Sequence, residues 1–149
     1  VVASRVDRGA RDLHYNPGPD NSKGRRLMIG YVTLGTNDLK RSAAFYDGVL
    51  GELGARRFME SDRMIGWGTQ PGQPMLMVTT PFDEKKASVG NGVMVALNVG
   101  SPDAVKKVHA KAMKLGAKDE GAPGPRGDGG FHGGYFRDPD GNKLVAFCM

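Results

Sequence analysis

Leu53-Gly54-Ala55 and Leu115-Gly116-Ala117 close two matching stretches of this 149-residue chain. In the first, residues 29–35 alternate like a strand, and Asn37 can cap a helix carrying Leu39, Ala43, Tyr46, Leu50 and Leu53. Those spacings of three and four give one apolar stripe, and Gly54 ends it. In the second, residues 93–99 form the strand, Ser101 the cap and Pro102 the first helical position. Val105, Val108, Ala112 and Leu115 make its stripe, stopped by Gly116. Leu34 to Leu53 spans 19 positions and Leu97 to Leu115 spans 18. A duplicated unit of this size restricts the fold severely, because each copy has an apolar face that only a neighbour can bury.

The remaining elements follow from alternation and turn chemistry. After the first helix, residues 56–60, 64–69 and 74–80 read as short strands, and residues 81–92 as a charged, glycine-ended linker. After the second, strands are expected near residues 134–137 and 143–148, joined by a turn at Asp138-Pro139-Asp140-Gly141-Asn142. The prediction is an α+β domain of two tandem βαβββ modules, about residues 28–82 and 92–149. Together they form a curved mixed sheet with a concave cup and with helices on its outer face.

Residues 1–27 lack sustained apolar periodicity and contain the turn-rich run Asn16-Pro17-Gly18-Pro19-Asp20. They read as a polar, basic N-terminal arm, either a tail without a role or a segment that packs on a partner subunit. The formal charge of the whole chain is +5, and the arm supplies +3 of it through Arg5, Arg8, Arg11, Lys23, Arg25 and Arg26 against three aspartates. The folded part therefore has no strongly basic stripe, and a nucleic-acid partner is not expected. No run approaches the roughly 18 apolar residues of a membrane span, so no membrane partner is expected either. The single cysteine, Cys148, excludes an intrachain disulfide and points to a reducing, cytoplasmic setting.

Strand parity identifies the cup's lining. Tyr31 and Thr33 share one face, opposite Val32 and Leu34; Met75 and Met77 share one; Met94 and Ala96 oppose Val95 and Leu97; Val145 and Phe147 oppose Leu144, Ala146 and Cys148. With the Val/Leu faces under the helices, the cup is lined by Tyr31, Thr33, Met75, Met77, Met94, Ala96, Val145 and Phe147, an apolar and soft surface without a carboxylate. It is either a greasy pocket that adapts to a flat or irregular ligand or a methionine-filled core without a cavity.

Other residues leave alternatives open. Trp67, between Gly66 and Gly68, can stack on an aromatic ligand or cover one end of the core. Residues 121–134 hold seven glycines in fourteen positions and read as a loop that closes over the cup, bringing Arg126 or His132 to an anionic or carbonyl group. The alternative is a lid edge without chemistry. His109, among Lys106, Lys107, Lys111 and Lys114, reads as a solvated surface residue. Cys148 reads as a small buried hydrophobe rather than a nucleophile.

Two segments carry a family resemblance. Tyr31-Val32-Thr33-Leu34, followed by Asn37-Asp38-Leu39-Lys40-Arg41-Ser42 and Phe45-Tyr46, forms one; Tyr135-Phe136-Arg137-Asp138-Pro139-Asp140-Gly141-Asn142-Lys143-Leu144 forms the other. From Met28 to Met149 the chain resembles the vicinal oxygen chelate superfamily, which includes glyoxalase I, extradiol dioxygenases, fosfomycin-resistance enzymes and bleomycin-binding proteins. In metal-using relatives, His, Gln or Glu side chains on the concave face hold a divalent ion. The resemblance puts those ligand slots on Tyr31, Met77, Met94 and Val145, none of which suits such a cation. No metal and no cofactor are expected.

Three functions follow as expectations. The first is a binding protein that captures an aromatic or amphipathic small molecule in a metal-free cup, as the bleomycin-binding relatives do. The second is a glyoxalase-like lyase or a dioxygenase whose metal ligands lie elsewhere or come from a partner chain. The third is a metal-independent enzyme using Tyr31, Arg126 or His132 as acid–base groups. The binding role is preferred, no catalytic residue is assigned, and the resemblance implies a homodimer with cups near the interface.

Overall fold

A computed structural model describes residues 27–149 together with the short strand β1 (His14–Tyr15). The rest of the expected arm, residues 1–13 and 16–26, lies outside the described residues. The first module comprises β2 (Tyr31–Gly35), α1 (Leu39–Gly51), β3 (Arg56–Glu60), β4 (Met64–Gly68) and β5 (Met75–Thr79). The second comprises β6 (Val95–Asn98), α2 (Pro102–Lys114), β7 (Lys118–Pro125), β8 (His132–Arg137) and β9 (Lys143–Cys148). Each module carries its own mixed sheet, ordered β1-β3-β4-β5-β2 and β6-β9-β8-β7. In each, the opening strand runs parallel to the closing one and antiparallel pairs complete the sheet. This is the tandem βαβββ arrangement.

Local chemistry explains the helix starts. Ser101 accepts from the Ala104 amide, and Pro102 follows where its missing N–H costs nothing. In α1 the cap is Asp38 rather than Asn37, its Oδ1 accepting from the Arg41 amide at 2.9 Å. The Asn37 side chain is committed instead to the residue 81–92 connection, donating to the Ala87 carbonyl and accepting from its amide. Gly54 and Gly116 take positive φ of 72° and 93°, the left-handed conformation that glycine adopts most freely.

Two expectations need correction. The glycine-rich stretch is not one loop: its first part belongs to β7, which pairs with β8 through two register shifts, and only residues 126–131 turn. Glycines and prolines hide a strand when its ladder is repeatedly bulged. His109 is not solvated. It is 7% exposed, edge-on to Phe136, with Nε2 3.2 Å from Asp119 Oδ1. The bend into β7 brings that carboxylate back to α2, giving a buried imidazole a partner.

Both helices touch each other, and one core runs through both modules. It contains Leu34, Leu76 and Val78 from the first sheet, Phe136, Leu144 and Ala146 from the second, and Phe45, Tyr46, Val105 and Val108 from the helices. The faces of the two sheets that carry no helix, called free faces below, turn away from this core. No strand pairing joins one sheet to the other, so β2 and β6 are both edge strands among the described residues.

The turn that marks the resemblance ties the modules together. Asp138 Oδ2 accepts from the Tyr46 hydroxyl of α1 at 2.7 Å and from Asn142 Nδ2 at 2.8 Å, while Oδ1 accepts from the amides of Asp140 and Asn142. Asp140 reaches across to the first module, accepting from Thr36 Oγ1 (2.6 Å), Ser42 Oγ (2.9 Å), the Asn37 amide (3.0 Å) and Arg41 Nη2 (2.7 Å). Burial opposes ionisation of Asp140, but these donors outweigh it and hold its carboxyl below the usual carboxylate range. For Tyr46, burial and then the Asp138 charge push the phenol well above its ordinary value, so it remains a donor.

Candidate functional site

Register places six of the predicted residues, Tyr31, Thr33, Met75, Met77, Val145 and Phe147, on two free faces. On the first, Tyr31 lies opposite Met75 and Thr33 opposite Met77, with Gly66 beyond Met77 on β4. Tyr31 is 61% exposed, whereas Met77 is only 2% exposed although no helix covers it. The glycines of β4 leave the methionine side chains room to lie flat on the sheet. A Cβ on Gly66 would lie 3.3 Å from both Met77 Cγ and Met59 Cβ, and one on Gly68 would lie 3.1 Å from the Phe58 ring and 3.3 Å from Met75 Cγ. The methionines therefore lie across a glycine floor, and a soft thioether layer forms this face.

On the second free face, Ala96 pairs with Val145, Tyr135 lies opposite Val145, and Phe147 opposite Gly133. Phe131 folds over Gly133 and stacks on Phe147, with centroids 5.3 Å apart and planes 7° from parallel. Val145, 1% exposed, lies beside this stack, its methyl 3.3 Å from where a Gly133 Cβ would sit. Arg126 and Lys143 lie over the Tyr135 ring, at 5.6 and 5.8 Å from its centroid. Lys143 and Arg137 also pair with Glu120, and Arg137 in particular keeps that carboxyl below its usual range. Met94 lies just before β6 and is 44% exposed.

Two predicted residues lie on the other side of their sheets. Trp67 is 1% exposed, packs on Tyr46 at 5.6 Å and donates from Nε1 to Asp47 Oδ1 at 2.8 Å, so it covers the core and does not line the cup. Asp47 also receives the Arg57 guanidinium, chiefly through which its carboxyl is held low. His132 shares strand parity with Phe136, which is in the core, and lies opposite Cys148. It therefore does not join Arg126, and its Nε2 is buried without a hydrogen-bond partner. Cys148 is buried in the core, as expected.

Sequence reasoning overlooked Tyr135, Phe131 and Lys143. Tyr135 was recoverable, since it alternates with Phe136 and so falls on the Phe147 side. Phe131 was not, because its position depends on the turn that closes when the Arg126 amide donates to its carbonyl at 2.8 Å.

The divalent ion that the resemblance implies would have to use the side chains it assigns as ligands. Tyr31, Met77, Met94 and Val145 offer a phenol, two thioethers and a hydrocarbon, a set that does not fit a hard or borderline dication. Among the described residues, no three His, Cys, Asp or Glu side chains come together as metal ligands. No helix there is long and apolar enough to cross a membrane.

Comparison with known proteins agrees with the topology. Residues 28–146 match the family model described as the Glyoxalase/Bleomycin resistance protein/Dioxygenase superfamily. Among solved structures, a glyoxalase/bleomycin resistance protein from Albidiferax ferrireducens T118 is 32% identical, with a TM-score of 0.76 over 83% of this chain and 99% of that one. The fosfomycin resistance protein FosX from Mesorhizobium loti is 21% identical, with a TM-score of 0.60 over 81% and 91%. TioX from Micromonospora sp. ML1 is 18% identical, with a TM-score of 0.57 over 80% and 97%. A comparison with curated proteins gives no match. With the family model covering most of the chain and a relative at this identity, the chain belongs to the glyoxalase/bleomycin resistance protein/dioxygenase superfamily.

Proposed function

We propose that this chain binds a flat, aromatic or amphipathic small molecule on its free faces, without a metal, as a cytoplasmic homodimer. The chemistry of those faces carries the reading. They offer thioethers, phenyl rings and one cationic cluster, and the positions that the resemblance assigns to metal ligands hold no imidazole or carboxylate. Enediolate isomerisation and oxygen activation both need a Lewis acid on vicinal oxygens, and these side chains are unsuited to seat one. Acid–base catalysis without a metal is less well supported, because His132 and Arg126 fall on opposite sides of the second sheet.

The two open edges support the dimer. The free faces turn away from one shared core, so residues from both modules line a single cup only when β2 of one protomer lies beside β6 of another. Tyr31 and Met94, which with Ile29 and Val93 are exposed apolar residues near those edges, would then be covered.

A thermal-shift screen with planar aromatic compounds tests the binding role. Compounds that raise the Tm of the wild type should lose their effect in Met94→Glu, whose site is exposed enough to tolerate the change, and in Met77→Glu if that variant folds. Undiminished shifts in Met94→Glu would remove the cup as the site. Elemental analysis of tag-free protein should find no stoichiometric zinc, nickel, manganese or iron; about one per chain would overturn the metal-free reading. Sedimentation at micromolar concentration should give a dimer, and a monomer would overturn the shared cup.

A further inference from the structure

We infer that the free face of the second sheet receives a planar aromatic carboxylate, with Arg126 as the group that holds its acid. This rests on the binding role proposed above and adds the charge and shape of the ligand.

The guanidinium of Arg126 is the uncommitted cation of this face. Its hydrogen bonds go to main-chain carbonyls, from Nη2 to Ala122 at 2.7 Å and from Nη1 to Pro125 at 3.0 Å, and it makes no ion pair with a described residue. The neighbouring cations, Arg137 and Lys143, share one carboxylate, Glu120. Three positive side chains thus face one negative one, and of the two positive charges in surplus Arg126 carries one, without a described carboxylate as partner. The backbone gives that side chain a seat. A Cβ on Gly124 would stand 3.2 Å from Nη1 and one on Gly121 would stand 3.4 Å from Nη2, so ordinary residues there would crowd it. The Tyr135 ring forms the base of the seat. A guanidinium held in place loses less freedom on pairing than a mobile one, and its planar fork matches a carboxylate through two parallel hydrogen bonds.

The flat part of the ligand has its own receptor. Phe131 lies parallel to Phe147, so the Phe147 ring on this face is one on which a second ring stacks. The same turn carries both features, since the Arg126 amide donates to the Phe131 carbonyl at 2.8 Å. A ring stacking on Phe131 or replacing it can therefore present an acid toward Arg126. A neutral ligand of the same shape would gain the stacking and not the ion pair.

Calorimetric titration of the full chain with 2-naphthoate and with 2-naphthamide separates these contributions, because the two share a ring and differ in charge. The wild type should bind the acid about tenfold more tightly than the amide. Arg126→Gln should weaken the acid by about the same factor and leave the amide unchanged. Arg63→Gln is the control: Arg63 also donates to carbonyls and lies over an aromatic ring, but in the first module. It should change neither affinity. Equal binding of acid and amide by the wild type would overturn the anchor while sparing the binding role. Equal weakening of both compounds in Arg126→Gln would make Arg126 a structural residue, and equal weakening of the acid in both variants would reduce the effect to net charge. Failure of both compounds to bind the wild type would remove the anchor and the binding role together.

Discussion

The two modules answer the same structural problem with apolar helix-facing residues and then diverge on the opposite face. Under α1, Leu34, Leu76 and Val78 fill the core; under α2, Leu144, Ala146 and Phe136 do so. On the free side, the first sheet lays Met59, Met75 and Met77 across glycines, while the second stacks Phe131 on Phe147 and gathers cations around Tyr135. Helix packing constrains one side of a duplicated sheet, which leaves the other available for change. The first free face is adaptable, because thioethers have several rotamers of similar energy; the second is shaped, because rings and guanidinium groups are planar.

The largest effect is expected where the modules join. Asp138→Ala would strip partners from the Tyr46 hydroxyl and from Asn142 in a buried site, costing about 3 kcal/mol and lowering Tm by about 10 °C. Circular dichroism melting measures it, and a change of only a degree or two would mean that the Asp138 bonds contribute little to holding the modules together.

Matched glycine substitutions compare the faces directly. Gly133→Ala would place a methyl 2.7 Å from the Phe131 ring edge and drive the ring off Phe147, for about 1–3 kcal/mol. Gly66→Ala meets Met77 Cγ and Met59 Cβ, each at the looser distance of 3.3 Å, and should cost less than about 1 kcal/mol. Denaturant titration of both variants ranks them; equal costs would erase the distinction between a shaped and an adaptable face.

The smallest effect is a pH slope. Because the folded-state pKa of Asp140 lies below the unfolded value, its contribution is complete at neutral pH and above the unfolded pKa of about 4. That contribution is lost as pH falls through the folded value. Asp140→Asn should therefore lose less stability than the wild type between pH 5 and about pH 3. Parallel slopes in Tm against pH would show that Asp140 is not the titrating group.

Much of this architecture was readable from the chain. The paired Leu-Gly-Ala stops fixed both helices, and alternation sorted Leu34 and Leu144 from Met77 and Val145 without any structure. Parity failed where the side chain's neighbours were glycines. Trp67 sits between two, so nothing local said which way the indole turns, and the deciding partner is Asp47, on α1. Contacts across the chain were hidden for the same reason. His109 is buried because β7 returns Asp119 to it, and β7 itself resembles a loop until its pairing with β8 is known. The recognisable Asp138–Asn142 turn was legible as a family mark. Its role as an intermodule clasp was not, since Thr36, Ser42 and Tyr46 are about a hundred residues away.

The pairing of His14 and Tyr15 with Glu60 and Met59 has a practical side. Anyone shortening this protein to start at Met28 would bare the outer margin of β3, leaving amides and carbonyls ready to recruit a stranger's backbone. The trimmed version should clump sooner during concentration than its parent, with His14 and Tyr15 acting as the hem of the sheet.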